Sequence, residues 1–120
     1  MTDRRDLIAA ELEKSLSETA ALFQSLSPDE LGAQLYADGA QWTVQQALAH
    51  FIAIEGSMQR LFQNLLAGGP GAPPDFDFER FNRTQTRKFD GLTRDELLGR
   101  FTAVRRETIR IVREMQEEDL

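Results

Sequence analysis

The chain has 120 residues, of which 41% are hydrophobic, and this length and composition predict one packed domain spanning residues 1–120. Its formal net charge of -6 disfavours attraction to phosphate backbones and anionic membrane surfaces, so we expect neither nucleic acid nor membrane as a partner. The absence of cysteine excludes disulfides, thiolate nucleophiles and sulfur-ligated zinc.

The first predicted element is a helix over about residues 4–26. Its apolar residues recur in steps of three and four and therefore share one helical face: Ile8, Leu12, Leu16, Ala20, Phe23 and Leu26. The charged start of the chain and the short apolar run Leu7 to Ala10 do not make a signal peptide, and no stretch has the roughly 18 apolar residues of a membrane span. We therefore expect a cytoplasmic protein.

Capping signals predict where the next two helices begin. Ser27-Pro28-Asp29-Glu30 combines a capping hydroxyl, a proline at the first helical position and a glutamate three residues after the cap, which predicts a short helix over about 28–34. Thr43 and Gln46 form a second capping box, which opens a long helix over about 43–66. A loop rich in glycine and proline, residues 68–74, ends that helix.

The C-terminal third is predicted to contain one short and one long helix. Aromatic residues among charges indicate an ordered loop that leads into a short helix over about 77–89. Thr93 and Glu96 form a third capping box, which predicts a long helix over about 93–118. The apolar seam of that helix is Leu97, Phe101, Val104, Thr108, Ile111 and Met115. No segment shows the alternation and turn chemistry of a hairpin, so the fold class is all-α, with three long helices side by side.

His50 is the only histidine, and it is the first candidate site residue. On a helical projection it lies at the edge of the apolar stripe that we expect to face the core: Val44, Ala47, Phe51, Met58, Phe62 and Leu65. A histidine in such a place is more often a half-buried packing residue than a metal ligand or a base. One imidazole alone does not make a metal site.

Glu55 is the second candidate, because it projects near the middle of the same apolar stripe. A buried carboxylate is costly unless it is paired, protonated or bound to a metal. In the simpler interpretation, Glu55 reaches water or an arginine of the last helix, such as Arg105 or Arg106. The alternative is a functional buried acid, with Glu55 as a candidate catalytic residue.

Several segments resemble the DinB-like superfamily of bacterial four-helix bundles. The resemblance covers essentially the whole chain in the correct order. It includes the segments Ser27-Pro28-Asp29-Glu30-Leu31, Gln41-Trp42-Thr43-Val44-Gln45-Gln46-Ala47-Leu48-Ala49-His50-Phe51 and Phe78-Glu79-Arg80-Phe81-Asn82. The most distinctive part is the spacing of Trp42, Thr43, Val44, Leu48 and His50.

The resemblance implies an up-down bundle and a metal site. Members of this family often bind a divalent metal through three histidines, one at the position of His50 and two from a His-x-x-x-His pair on the fourth helix. This sequence has no second histidine, and it ends where the resemblance places the loop before that helix. The missing ligands and the missing fourth helix are therefore one observation, and we expect either that these residues are a portion of a longer protein or that the chain departs from the family pattern.

Three hypotheses about function follow from the resemblance. The first is a metal-dependent thiol transferase or hydrolase, with His50 binding zinc, nickel or iron, a low-molecular-weight thiol as cosubstrate, and the remaining ligands supplied from outside these residues. The second is a non-catalytic module that binds a small hydrophobic molecule between the helices. The third is a homodimer whose second copy covers the apolar groove that three helices leave open.

Overall fold

The computed structural model describes residues 3–37 and 40–119. In chain order the elements are α1 (Arg4–Ser25), α2 (Pro28–Leu31), β1 (Gln34–Ala37), β2 (Ala40–Thr43), α3 (Val44–Leu66), α4 (Phe78–Arg87) and α5 (Arg94–Glu114). A short 3-10 helix follows at Glu117–Asp119. The all-α class, with three long helices, is confirmed.

Three capping boxes fix where α2, α3 and α5 begin. At the start of α3, Thr43 Oγ1 accepts a hydrogen bond from the backbone N–H of Gln46, and Gln46 Oε1 accepts one from the backbone N–H of Thr43. The same reciprocal pair of bonds joins Ser27 with Glu30 and Thr93 with Glu96. Each box satisfies two backbone donors that a helix start leaves without partners, and loss of such a cap typically costs about 1 kcal/mol.

Two sequence predictions before α3 are wrong. The short helix ends at Leu31 instead of residue 34, and β1 and β2 form an antiparallel hairpin in which Gln34 is opposite Thr43. Strands of four residues are too short for a clear alternating pattern, although Asp38-Gly39 is a favoured hairpin-turn dipeptide. The dipeptide itself lies outside the described residues.

The last long helix is shorter than the predicted 93–118. Met115 has extended backbone, with φ -66° and ψ 150°, so α5 ends at Glu114. Nη1 of Arg5, at the start of α1, donates to the carbonyl oxygen of Met115 at 2.9 Å. This bond gives the end of α5 a partner from another helix.

Bonds at both ends show that α1 and α5 run antiparallel. Nη1 of Arg94, the first residue of α5, donates to the carbonyl oxygen of Leu26, just after α1, at 3.0 Å. The Arg5–Met115 bond joins the opposite ends of the same two helices. The helices α3 and α5 run parallel, because Gln45 bonds to the carbonyl of Leu92 near both starts and Gln59 bonds to Thr108 further along.

The main core lies where α1, α3 and α5 meet, with Leu31 of α2 at one end. Its buried residues are Leu16, Phe23, Leu31, Leu48, Ala49, Ile52, Leu97, Leu98 and Phe101. The prediction that the apolar stripe of α3 faces the core is wrong in part, because Phe51 and Met58 are 46% and 41% exposed. The helix is rotated so that Leu48, Ala49, Ile52 and Ala53 are buried instead. Within the described part of the chain, no helix is both long and apolar enough to cross a membrane.

Candidate functional site

An open cleft of about 450 Å³ lies between α1 and α3, with α5 as its floor. The exposed apolar stripe of α3 forms one wall through Phe51, Ile54, Met58 and Phe62. The wall from α1 carries Ser15, Thr19 and no apolar lining residue. Three of the side chains that were predicted to face the core, Phe51, Met58 and Phe62, therefore line a cavity that opens to solvent.

The floor of the cleft carries a mostly buried ion pair between α3 and α5. Arg105 Nε lies 3.0 Å from both carboxylate oxygens of Glu55, and Arg105 Nη2 lies 2.9 Å from Oε1. The side chain of Arg105 is 12% exposed and that of Glu55 is 16% exposed. The expected pairing of Glu55 with an arginine is thus confirmed for Arg105, whereas Arg106 pairs with Glu13 of α1 at 3.2 Å.

Two further polar side chains complete this network. Thr108 Oγ1 donates to Glu55 Oε2 at 2.7 Å, and Gln59 Nε2 donates to Thr108 Oγ1 at 2.9 Å. Arg105 Nη1 also donates to the carbonyl oxygen of Leu12 in α1 at 3.1 Å. The network therefore joins α1, α3 and α5 directly beneath the cleft, and it satisfies the carboxylate as burial requires.

The guanidinium of Arg105 keeps hydrogen-bonding capacity in this arrangement. It has five N–H groups, and its bonds to Glu55 and Leu12 use three of them. Among the residues that the structure describes, no partner occupies the other two. A ligand in the cleft that carries a hydrogen-bond acceptor has a donor available at the floor.

The roles of Thr108 and Gln59 were not predicted from the sequence. Thr108 was assigned to the apolar seam of the last helix, and its hydroxyl was the one polar atom in that seam. Gln59 follows Glu55 by four residues and therefore lies on the same face of α3. These two spacings were the available signal, because polar groups at core-facing positions require partners.

His50 lies on a different face of α3, toward α4. Its Nδ1 is 3.5 Å from Oγ1 of Thr86, a buried residue whose hydroxyl donates to the carbonyl oxygen of Asn82 at 2.7 Å. Because that hydroxyl hydrogen is directed at Asn82, the geometry favours Nδ1–H of His50 as the donor to Thr86. Partial burial lowers the pKa of His50 below its usual 6.5, so the ring is mainly neutral at neutral pH.

The residues that the structure describes do not by themselves fit a metal. His50 and Glu55 are five residues apart, which separates them by roughly 140° around the helix, and they contact different neighbouring helices. Across residues 3–37 and 40–119, no three histidine, aspartate or glutamate side chains are placed to hold an ion. His50 as a metal ligand and Glu55 as a catalytic acid remain predictions, and the first requires donors that these residues do not supply.

Known proteins share this architecture. The family model described as the DinB superfamily matches residues 11–120. A crystal structure of an uncharacterised protein from Streptococcus agalactiae is similar, with a TM-score of 0.73 and 15% identity, over 94% of this chain and 68% of that chain. An uncharacterised protein from Escherichia coli UTI89 has a TM-score of 0.71 and 12% identity, over 93% of this chain and 69% of that chain. None of the curated proteins searched matches the sequence.

A third similar structure corrects one expectation. It is the colibactin self-resistance protein ClbS in complex with a double-stranded DNA, with a TM-score of 0.76 and 12% identity, over 97% of this chain and 74% of that chain. The exclusion of nucleic acid as a partner, drawn from the net charge of -6, is therefore wrong. Net charge is a sum over the whole chain, and a local cluster of cations can still contact phosphates in an acidic protein.

Proposed function

The chain belongs to the DinB superfamily, and on this basis we propose that it binds a small, largely apolar molecule in the cleft between α1 and α3. The observation that carries the proposal is the combination of an apolar wall from α3 with one polar network at the floor. Binding sites for small molecules are typically concave and apolar, with a few polar groups that orient the ligand. The cleft has this composition, and its volume of about 450 Å³ lies within the usual range.

The polar floor favours a ligand with a neutral hydrogen-bond acceptor. The charge of Arg105 is already balanced by Glu55 at 2.9 Å, so a second carboxylate would meet an ion pair of no net charge and would lose its hydration. A carbonyl oxygen can accept from a remaining N–H of Arg105 at a smaller desolvation cost. We therefore propose an apolar ketone, ester or amide as the ligand class.

A fluorescent probe of this class tests the proposal. The naphthalene ketone 6-propionyl-2-(dimethylamino)naphthalene combines an apolar ring with a carbonyl, and its emission reports transfer from water to an apolar site. Thr19→Trp places a large side chain in the cleft, whereas Ser17→Trp places it on the exposed side of α1, outside the lining. The proposal expects the first variant to lose the probe and the second to retain it.

The enzymatic expectation is a finer proposal within the same family. Metal-dependent thiol transfer or hydrolysis would use His50 as one ligand, and the metal would supply stabilisation of a bound thiolate or activation of water. It is favoured by the neutral ring of His50, since a neutral imidazole is the form that binds metals. This mechanism also needs further metal ligands that the described residues do not supply. Binding of an apolar molecule in the cleft needs none, so it is the primary proposal.

A second candidate function is binding of double-stranded nucleic acid by α4. The likeness to ClbS, which was crystallised with double-stranded DNA, raises the question for this chain. Arg80, Arg83 and Arg87 are spaced by three and four residues and are exposed, so they share one face of α4. None of the three forms an ion pair with a described acidic side chain. We propose this face as the place where phosphates would bind.

A further inference from the structure

A second cavity, of about 270 Å³, lies between α3, α4 and the loop that connects them. Three phenylalanines of the loop and α4 line it, together with Met58 and Leu61 of α3. The ring of Phe76 packs edge-on against Phe78, with centroids 4.9 Å apart, and lies 5.4 Å from Phe81. Phe78 is nevertheless 51% exposed, so this aromatic group forms the wall of an open pocket.

The loop that lines one side of this pocket is held in place by a specific bond. The backbone N–H of Gly71 donates to Oδ1 of Asn64 in α3 at 2.8 Å. Gly71 has φ +80°, a conformation that L side chains rarely adopt, and a Cβ there would lie 3.3 Å from Cδ2 of Leu65. The bond and the glycine position the loop over α3, so the pocket has a fixed wall.

The pocket has one cation at its edge. The guanidinium carbon of Arg60 lies 5.5 Å from the centroid of the Phe81 ring, and Arg60 is among the lining residues. No acidic side chain in the described part of the chain forms an ion pair with Arg60. This differs from the cleft between α1 and α3, where the arginine is neutralised by Glu55. The two cavities share Ile54 and Met58 but offer a ligand different charges.

We propose that this second pocket binds a small aromatic carboxylate. The ring of the ligand packs among Phe76, Phe78 and Phe81 in offset or edge-on geometry, and the carboxylate bonds to the planar guanidinium of Arg60. A cavity of about 270 Å³ lies below the roughly 300 to 1,000 Å³ of sites for drug-sized molecules, which limits the ligand to one or two rings. The proposal goes beyond the proposed function: although the two cavities share Ile54 and Met58, this pocket offers the charge of Arg60, unpaired among the described residues, and an aromatic wall from the loop and α4.

Titration of the isotopically labelled protein with 2-naphthoate, followed by ¹H–¹⁵N correlation spectra, tests this assignment. We expect the largest chemical-shift changes in the amide signals of residues 71–82. We also expect the uncharged isostere 2-naphthamide to bind more weakly than 2-naphthoate. Arg60→Gln is expected to weaken 2-naphthoate about tenfold, which corresponds to the loss of one charge-assisted bond, and to leave 2-naphthamide unchanged. Arg83→Gln removes the same charge from the outer face of α4 and is the matched control.

Blocking the pocket gives a second test. Ala72→Trp fills it, and Thr84→Trp places the same side chain on the exposed face of α4. Loss of both naphthalene ligands in Ala72→Trp alone supports the site. An equal loss of affinity for 2-naphthoate in Arg60→Gln and Arg83→Gln would overturn it. Chemical-shift changes confined to α1 and the cleft between α1 and α3 would also overturn it. If Ala72→Trp does not fold, the Arg60→Gln comparison alone decides. Binding of 2-naphthoate that survives Thr19→Trp separates this site from the proposed function.

Discussion

Arg105 of α5 donates hydrogen bonds to both carboxylate oxygens of Glu55 in α3, at 2.9 to 3.0 Å. The same guanidinium reaches the carbonyl of Leu12, so one side chain of α5 bonds to both α1 and α3. This pair stabilises the arrangement of the three long helices, and it also forms the polar floor of the cleft. The stability of the fold and ligand binding in the cleft therefore depend on the same residues. A test of binding must separate a loss of stability from a loss of affinity.

The ion pair is expected to contribute measurably to stability. Glu55→Gln leaves the mostly buried Arg105 without a charge partner, and we expect the free energy of unfolding to fall by about 2 to 3 kcal/mol, somewhat less than for a fully buried pair. Glu13→Gln is the matched control, because Glu13 and Arg106 are 42% and 61% exposed and their pair should contribute at most about 1 kcal/mol. Urea denaturation measures both, and equal losses would contradict the role given to Glu55.

His50 is expected to make stability depend on pH. Its pKa is lowered by burial in the folded state, so the unfolded chain binds a proton more readily between the lowered pKa and 6.5. The free energy of unfolding therefore falls as the pH decreases through 6.5, and this loss levels off below the folded pKa. His50→Gln removes the contribution. Urea denaturation at about pH 7.5 and about pH 5.5 should show a smaller difference in the variant, and an unchanged difference would contradict the burial of the ring.

Metal content tests the role of His50 that the family resemblance implies. Since no three suitable donors converge among the described residues, we expect the purified, untagged chain to hold far less than one divalent ion, with no change in His50→Ala. Inductively coupled plasma mass spectrometry after removal of loosely bound ions measures this. About one zinc, nickel or iron per chain, lost in His50→Ala, would establish His50 as a ligand and make thiol-dependent chemistry the first activity to assay.

The cationic face of α4 predicts a salt-dependent affinity for DNA. Replacement of Arg80, Arg83 and Arg87 by glutamine should lower the slope of log affinity against log salt concentration by roughly 2 to 3, because each phosphate contact contributes about 0.9. The control variant replaces Arg106, Arg110 and Arg113 of α5 by glutamine, which changes the net charge of the protein by the same amount. Fluorescence anisotropy with a labelled duplex compares the two. The same loss of affinity in both variants would indicate only a general charge effect.

Local signals predicted the helices well because capping chemistry depends on residues close in sequence. Each capping box that was expected, such as Thr93 with Glu96, has its two reciprocal bonds. The end of α5 was missed, and a bond that forms just after it comes from Arg5, 110 residues away, which a local pattern does not encode. The hairpin was missed because its strands have only four residues each, and hydrophobic periodicity needs a longer window.

The candidate site was predicted only in part, for a reason of packing. The position of Glu55 on an apolar stripe predicted that its charge reaches water or an arginine, or else serves as a functional acid, and this follows from the cost of burying a charge. The stripe itself was assigned to the core, because Phe51 and Met58 have the spacing of core residues. Their exposure arises from how α1 and α3 separate above α5, which periodicity within one helix does not encode.

Titration with the naphthalene ketone tests the central proposal most directly. Wild type and Ser17→Trp should show blue-shifted emission that saturates at one probe per chain, and Thr19→Trp should show neither the shift nor saturable binding, while circular dichroism confirms that all three proteins are folded. Equal binding to Thr19→Trp and Ser17→Trp would contradict a ligand site between α1 and α3. Absence of binding to any of them, together with a dimeric mass in light scattering, would instead indicate that a second copy of the chain covers the cleft.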